Sequence, residues 1–201
     1  MRCHRNMTLS ANSAKIFLNL IPIPVRESFV TNIGINPSRS KIMNKQVSLI
    51  GLDSEQSAQL AEQLNQLLAH YQVLYMNSRG YHWNIKGQKF FELHVKFEEI
   101  YTDLQTKIDE LAERILTLGY TPVHAFSHYL EVSEIKEHQN ATSGEACVEG
   151  LVQGFSVLIL KQREILQHAS EADDEGTAAL MGDYIREQEK LMWMLNAYLQ
   201  G

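Results

Sequence analysis

The sequence predicts an all-α protein, a bundle of four long helices with one long connection between the second and third. Apolar side chains recur at helical spacing in four long segments after residue 53. No segment shows the apolar and polar alternation of a half-buried strand, and the sequence has no internal repeat. The other two connections are short, so the helices that they join are expected to be antiparallel neighbours.

The first predicted helix begins at Asp53, which forms a pattern like a capping box with Gln56 three residues later. Its period extends to about Trp83. The apolar side chains on this period are Leu60, Leu64, Leu67, Leu68, Tyr71, Leu74 and Tyr75. Residues 84–88 contain Gly87 and predict a short turn into the second helix.

The second predicted helix runs from about Phe90 to Leu118. Gly119 is suited to the position just after a helix end, and Pro122 prevents the helix from resuming. One side of the helix is apolar, at Leu93, Phe97, Ile100, Tyr101, Leu104, Ile108, Leu111, Ala112 and Ile115.

The connection after this helix is long and extends to about residue 142, with room for a short helix over residues 127–132. The third long helix is predicted over residues 144–168. An acidic turn, 171–175, leads into the fourth helix over residues 177–199. A four-helix bundle with one long crossover in this place has the topology of ferritin-like proteins.

Several residues in these helices are predicted to have packing roles only. Gly150 and Gly154 are expected to allow close contact between helices. The expected core side chains include Leu64, Phe97, Tyr101 and Trp193.

Length and charge limit the classes of function. A chain of 201 residues is long enough for one domain with a substantial core. Residues 1–42 carry six basic side chains and one acidic, so the remainder carries 12 basic and 23 acidic from totals of 18 and 24. An acidic body attracts cations and repels the phosphates of DNA. No apolar run is long enough to span a membrane.

The first 42 residues differ in composition from residues 43–201, which form the predicted bundle domain. Three of the four prolines lie there, and no period is sustained. Three interpretations stay open: an upstream extension of a chain that starts at Met43, a disordered basic arm, or a targeting peptide. The two cysteines, Cys3 and Cys147, form no disulfide framework, and a cytoplasmic location is expected.

Five side chains of metal-binding type carry the functional prediction: His82, His94, Glu98, Asp109 and Glu113. Imidazole together with carboxylate oxygen suits Fe(II), with Zn(II) and Mn(II) as competitors. On the second helix, two pairs four residues apart each share a face. His82, at the end of the first helix, lies across the short turn from the first pair.

The spacing excludes one site made by the second helix alone. Asp109 lies fifteen positions after His94. Its side chain therefore points in nearly the same direction as that of His94 but lies roughly 22 Å further along the helix axis. Two chains with antiparallel second helices about a two-fold axis would join the histidine end of one to the carboxylate end of the other. We therefore predict two equivalent sites, each shared by two chains.

Alternative roles exist for each residue taken singly. Asp109 and Glu113 could serve only as partners of Lys107 and Arg114 on the same helix. No histidine has a Glu three residues before it, which argues against a di-iron centre inside one bundle. The other histidines of the bundle lack neighbouring ligand types and are expected to be structural or solvated: His70, His124, His128, His138 and His168.

Two motifs resemble the Dps family (DNA-binding proteins from starved cells, or miniferritins). The first is His82-Trp83-Asn84-Ile85-Lys86-Gly87, continued by Phe91, Leu93-His94 and Glu98. The second is Ile108-Asp109-Glu110-Leu111-Ala112-Glu113-Arg114, continued by Leu118-Gly119 and Pro122. The similarity covers roughly residues 53–200. It implies a ferritin-like fold, a hollow shell of twelve subunits, and ferroxidase sites at two-fold interfaces.

The resemblance also implies roles for the site residues. His82 of one subunit, with Asp109 and Glu113 of its partner, would hold the tighter iron, and His94 and Glu98 would complete a second position. The family often has Asp at the position of Glu98. The Glu side chain keeps the oxygen donor but is longer and reaches further. Trp83, beside the site, would take up stray oxidising equivalents or simply pack at the interface, and Arg114 would orient a carboxylate or close an interface pair.

The function implied is oxidation of Fe(II) by hydrogen peroxide and storage of the Fe(III) product, which protects the cell from oxidative damage. Four carboxylates are candidates for a cation-attracting pore in that family: Asp173, Asp174, Glu175 and Asp183. The alternative is a nucleoid-associated protein that binds DNA through the basic residues of segment 1–42.

Overall fold

The computed structural model describes residues 47–201, so the expectations for residues 1–42 concern a part of the chain outside the described range. Five helices occur in the described part: α1 (Ser54–Asn84), α2 (Phe90–Thr117), α3 (Phe126–Val132), α4 (Gly144–Glu171) and α5 (Glu175–Leu199). Its only β pairing is an isolated bridge between Val47 and Asp53. None of the helices within residues 47–201 is long and apolar enough to cross a membrane. The predicted all-α bundle is confirmed.

The helix ends agree with the sequence signals. The Asp53 carboxylate accepts a hydrogen bond from the Gln56 amide at 3.0 Å and caps α1. Gly119 follows α2 with a φ of +93°, and the amide of Tyr120 bonds back to the Ile115 carbonyl at 3.1 Å. Glycine adopts this left-handed conformation without strain, so α2 ends where the sequence predicted.

Two boundaries differ from the prediction. Helix α4 continues to Glu171, and α5 begins at Glu175. The acidic turn is therefore shorter than expected and comprises residues 172–174, with Asp173 at a φ of +54°. The reason is a cap, since the Asp174 carboxylate accepts the Thr177 amide at 3.0 Å and starts α5 earlier.

The four long helices form a ring in which α1 packs against α2 and α4, and α4 packs against α5. Helices α2 and α5 are joined by side chains described below. Helix α3, in the crossover, packs on α1. The core is made of fully buried side chains from all four long helices, among them Leu64, Phe97, Phe155 and Met181.

Small residues on α4 allow its approach to α1, as predicted. A Cβ atom at Gly150 would lie 2.2 Å from the Tyr81 hydroxyl, and one at Gly154 would lie 2.4 Å from a methyl of Leu74. Both distances are far below van der Waals contact, so a larger residue at either position would require Tyr81 or Leu74 to shift. This packing fixes the second half of α1, the part that carries His82.

The prediction that Trp193 belongs to the core is wrong, because 68% of its surface is exposed in the chain. Trp193 precedes the buried Leu195 by two residues, or about 200° around the helix, and so lies on the opposite side of α5. Tyr101 is also not part of the buried core, because it is only half-buried and its ring contacts His82 and Arg79 instead.

Candidate metal centre

His82 and His94 are held by a reciprocal pair of hydrogen bonds across the α1–α2 turn. His82 Nδ1 lies 2.8 Å from the His94 carbonyl oxygen, and His94 Nδ1 lies 2.8 Å from the His82 carbonyl oxygen. The two rings stack with centroids 3.8 Å apart and planes 20° apart. His82 in the last turn of α1 and His94 near the start of α2 thus form a single unit.

This arrangement sets the tautomer of both imidazoles. A carbonyl oxygen only accepts, so each Nδ1 that faces one carries the proton. Each Nε2 then has its lone pair available and has no hydrogen-bond partner within residues 47–201. Neutral imidazole with Nδ1–H bonded to a carbonyl is the form in which histidine binds a metal.

Aromatic side chains fix the two rings from the outside. Phe90 stacks on His94 with ring centroids 5.0 Å apart, and the Tyr101 ring lies nearly perpendicular to that of His82 with centroids 5.4 Å apart. Neither contact was predicted from the sequence. Phe90 lies four residues before His94, and this spacing places two side chains on one face of a helix. The contact between Phe90 and His94 could therefore have been predicted from the sequence. The Tyr101 contact crosses between helices and has no local signal.

Arg79, a residue that sequence analysis did not single out, lies beside this unit. Its guanidinium carbon lies 4.8 Å from the centroid of Trp83 and 5.5 Å from that of Tyr101. It also donates a hydrogen bond to the Tyr75 hydroxyl at 2.9 Å. Trp83 is thereby ordered next to the histidines while half of its surface stays exposed.

The carboxylates Glu98, Asp109 and Glu113 lie on the exposed side of α2. Within residues 47–201, none of the three side chains forms an ion pair or a hydrogen bond. Glu98 is one turn beyond His94, whereas Asp109 and Glu113 lie near the other end of the helix.

The alternative role of Asp109 and Glu113, as partners of nearby cations, does not hold in this chain. Lys107 instead contacts Asp103 at 2.5 Å and Glu187 at 2.9 Å. These contacts outweigh burial, which alone would lower the pKa of Lys107, and hold that pKa above its ordinary value.

Arg114 also has its partner elsewhere, on α5. It contacts the Asp174 carboxylate at 2.5 Å and donates to the Thr177 hydroxyl at 2.8 Å. Its carboxylate partner in this chain is thus Asp174, and the predicted role of Arg114 at the metal site stays a prediction.

Asp174 is not available to line a pore, which corrects its place among the pore candidates. Only 2% of it is exposed, since it caps α5 and contacts Arg114. Burial disfavours its charge, but hydrogen bonds from Thr177 and Arg114 prevail and hold the pKa of Asp174 below its ordinary value. The remaining pore candidates, Asp173, Glu175 and Asp183, are exposed.

A single chain does not bring the five predicted ligands together. Within the described residues, no group of three or more histidine, cysteine, aspartate or glutamate side chains could hold one metal ion. The structure joins His82 to His94, with Glu98 on the next turn, and leaves Asp109 and Glu113 at the far end of α2.

Comparisons with known proteins agree with the fold and the motifs. Residues 61–201 match the ferritin-like domain. The chain is 44% identical over 156 residues to a DNA protection during starvation protein of Porphyromonas gingivalis, covering 78% of this chain and 98% of that protein. It is 60% identical over 151 residues to an uncharacterised protein of Haemophilus influenzae, covering 75% of this chain and 94% of that protein.

Solved structures show the same relationship. A Dps protein of Vibrio cholerae, described as a member of a broad superfamily of ferritin-like diiron-carboxylate proteins, superposes with a TM-score of 0.76. Its sequence is 64% identical, covering 80% of this chain and 99% of that one. A Dps protein of Bacillus brevis superposes with a TM-score of 0.70 at 38% identity, covering 72% and 97%. The resemblance seen in the two motifs is thus confirmed over the whole bundle, and the chain belongs to the Dps family of ferritin-like proteins.

Proposed function

We propose that this protein is a ferroxidase and iron-storage protein that protects the cell from oxidative damage. It oxidises Fe(II), preferentially with hydrogen peroxide, at sites shared by two chains, and stores the Fe(III) product inside a hollow dodecamer. One observation carries the proposal. At one end of the exposed side of α2, His94 and the adjoining His82 of α1 present free Nε2 atoms, and at the other end the carboxylates of Asp109 and Glu113 are unpaired within the described residues.

The role of each residue follows from its donor atoms. His82 of one chain, with Asp109 and Glu113 of the other, binds one Fe(II) through one nitrogen and carboxylate oxygens. His94 and Glu98 bind the second Fe(II). Zn(II) and Mn(II) compete for the same donors.

Both rings begin in the correct orientation and tautomer, since their Nδ1 protons are committed to carbonyl oxygens. Little reorganisation is then needed when Fe(II) arrives.

The chemistry of the site is two-electron reduction of peroxide. Two Fe(II) ions each give one electron, hydrogen peroxide takes up both with two protons, and two Fe(III) ions and two water molecules result. Because both electrons arrive together, no hydroxyl radical is released. Fe(III) then hydrolyses and is deposited as mineral. Asp173, Glu175 and Asp183 would draw Fe(II) toward an entry pore.

The surface around the half-sites suits contact with a second chain. Large apolar side chains on the outer sides of α1 and α2 are exposed, among them Met76, Trp83 and Val95. Exposed apolar surface of this kind marks a place of contact with another chain.

Subunit mixing tests the shared site. Proteins with His82→Ala alone and Asp109→Ala alone should each oxidise iron slowly. In a mixed pair, one site carries both changes and the other carries neither. After joint unfolding and reassembly in equal amounts, about one quarter of the wild-type rate should return, because half of the random pairs are mixed and each has one intact site.

The control for this experiment is a mixture of His82→Ala with His82→Ala/Asp109→Ala, in which every site is defective and no activity should return. Recovery no greater than in this control would mean that His82 and Asp109 serve a site within one chain, or no common site.

A second candidate function is DNA binding through the basic residues of segment 1–42. It is favoured by the name of the Porphyromonas gingivalis relative and by the six basic side chains among those residues. Gel shifts should show binding by the full chain that weakens steeply with salt, and none by a chain that starts at Met43. Binding that survives the truncation at moderate salt would contradict the assignment to this segment.

A further inference from the structure

Arg79, beside the unit of His82 and His94, is a cation with no carboxylate partner within residues 47–201. The other three arginines of that range each form an ion pair with a carboxylate: Arg114, Arg163 and Arg186. The Arg79 side chain is half-buried, and its Nη1 donates to the Tyr75 hydroxyl at 2.9 Å. Its Nε is buried without an acceptor in that range, so the Nη2 group remains available for a partner.

Three aromatic rings hold the guanidinium in place. Its carbon lies 5.6 Å from the ring centroid of Tyr75, 4.8 Å from that of Trp83 and 5.5 Å from that of Tyr101. Trp83 is 54% exposed, so one side of this cluster is open to a partner. Arginine, tryptophan and tyrosine are enriched among the residues that dominate the binding energy of protein interfaces. The cluster is therefore suited to contact with another chain.

The outer side of α2 in a second copy of this chain carries the carboxylates that suit Arg79. An arginine that an interface covers without an acidic partner is strongly unfavourable, so the covering chain has to supply one. Asp109 and Glu113 are exposed, and neither has a partner within the described residues. The two-fold arrangement of the shared site brings both of them to His82 of the other chain. Complementary unpaired charge thus indicates a second copy as the partner of Arg79.

Helix direction selects Asp109 over Glu113. Helices α1 and α2 are joined by a short turn and pack together, so they run in opposite directions. Because the two α2 helices of the shared site are antiparallel, α2 of one chain runs in the same direction as α1 of the other. Arg79 precedes His82 by roughly 4.5 Å along α1, and Asp109 precedes Glu113 by roughly 6 Å along α2. Asp109 therefore lies on the side of His82 at which Arg79 lies.

We propose that Arg79 of one chain binds Asp109 of the other through a charge-assisted hydrogen bond and so fixes the register of the two-fold contact. This inference rests on the proposed shared site. A carboxylate has two oxygens, so one accepts from Nη2 while the other remains for Fe(II). The two-fold axis repeats the pair, which gives two such bonds for every two chains. The half-sites are thereby aligned before iron arrives.

A double-mutant cycle on metal-free, full-length protein tests the pair. Sedimentation in moderate urea measures the chain concentration at which half of the monomers assemble, and urea is needed because the other contacts keep the assembly intact in its absence. Asp109→Ala should raise this concentration at least about tenfold when Arg79 is present. In the Arg79→Met background it should raise it less than about twofold, because the bond is already absent. Methionine keeps an aliphatic stem against the three rings, so the fold is retained.

Glu113→Ala is the matched control, since it removes a second carboxylate from the same side of α2. Its effect on assembly should be the same with Arg79 and with Arg79→Met. Arg79→Lys keeps the charge and should restore part of the effect of Asp109→Ala. Arg163→Met removes an arginine that is paired within its own chain and should leave the effect of Asp109→Ala unchanged.

Equal effects of Asp109→Ala in the Arg79 and Arg79→Met backgrounds would overturn the pair. Coupling of Arg79 to Glu113 alone would overturn the assignment to Asp109. A protein that is monomeric at every concentration without urea would overturn the shared site and the pair with it. An assembled protein in which the two substitutions act independently would overturn the pair alone, so the two failures are distinguishable.

Discussion

The two sides of α2 differ in whether their charged side chains have partners in the same chain. On the inner side, Lys107 and Arg114 each have a carboxylate partner in the same chain, and both are largely buried. On the outer side, Asp109 and Glu113 are exposed and have no partner within the described residues. Cations and anions on one helix therefore do not neutralise each other, although their spacing allows it. Charge that a chain pairs internally stabilises its fold, and charge that it leaves unpaired is available to a ligand or another chain.

The histidines repeat this contrast. His70 is buried on α1, with Nδ1 2.5 Å from the Gln66 carbonyl oxygen and Nε2 3.4 Å from the Glu134 amide. His82, twelve residues further along α1, commits only Nδ1. The same side chain is structural where both nitrogens are engaged and becomes a candidate ligand where one is free.

The largest expected effect is on the outer side. His82→Ala with Asp109→Ala should slow peroxide-dependent iron oxidation by at least about 100-fold, because both half-sites lose a ligand. Near-ultraviolet absorbance in a stopped-flow instrument measures the rate. Helix content and the assembled state should stay as in the wild type, since His82 bonds only to the His94 carbonyl at the α1–α2 turn and Asp109 forms no hydrogen bond within the described residues.

The matched control for that double substitution is His128→Ala with Glu149→Ala, an exposed histidine and an exposed carboxylate away from the half-sites. It should oxidise iron at the wild-type rate. A wild-type rate in the His82/Asp109 variant would remove these residues from the site.

On the inner side, Arg114→Leu should lower stability and leave metal binding unchanged. It removes the partner of a buried carboxylate, Asp174, and should reduce the free energy of unfolding by about 3 kcal/mol. Urea denaturation at fixed protein concentration measures the change. The exposed pair of Arg163 and Glu189 is the control, and Arg163→Ala should change stability by less than about 1 kcal/mol. Equal effects would mean that burial does not distinguish the two pairs.

The support behind His82 is tested at Gly150. Gly150→Ala places a methyl group 2.2 Å from the Tyr81 hydroxyl and should destabilise the fold by about 2 kcal/mol as α4 is pushed from α1. Gly182→Ala is the control, because the nearest atom to its new Cβ lies 3.9 Å away. That change should stabilise α5 by up to about 1 kcal/mol. Thermal unfolding of both variants measures these changes. A gain in stability for Gly150→Ala would contradict the role of Gly150 in the close contact between α1 and α4.

The smallest effect concerns His70 and pH. Burial lowers the pKa of His70 below 6.5, although its bond to the Gln66 carbonyl opposes the shift. Below about pH 6.5 the unfolded chain takes up a proton that the folded chain does not, so the free energy of unfolding falls as pH falls. Well above that pH, His70 does not make the free energy of unfolding depend on pH.

His70→Gln should therefore reduce the loss of stability between about pH 6.5 and pH 5.5, by no more than about 1.4 kcal/mol per pH unit. Urea denaturation of both proteins across this range measures the difference. Identical slopes would show that His70 does not titrate differently in the folded state.

Local patterns in the sequence were sufficient for the helices and for the identity of the candidate ligands. The period of apolar residues predicted all four long helices, and Asp53 and Gly119 marked an end of α1 and of α2. These features depend on residues within a few positions of each other, so they can be predicted without knowledge of the tertiary structure. The spacing between His94 and Asp109 likewise predicted that one helix could not complete a site.

Only the tertiary structure decided which groups are paired and which are free. Arg114 meets Asp174 across 60 residues of sequence, and Lys107 meets Glu187 across 80. The mutual bonds of His82 and His94 depend on the angle at which α1 and α2 meet, and the exposure of Trp193 depends on which side of α5 faces the bundle. Sequence period shows that a helix has a face, whereas the partner of each polar group depends on which distant segment packs against that face.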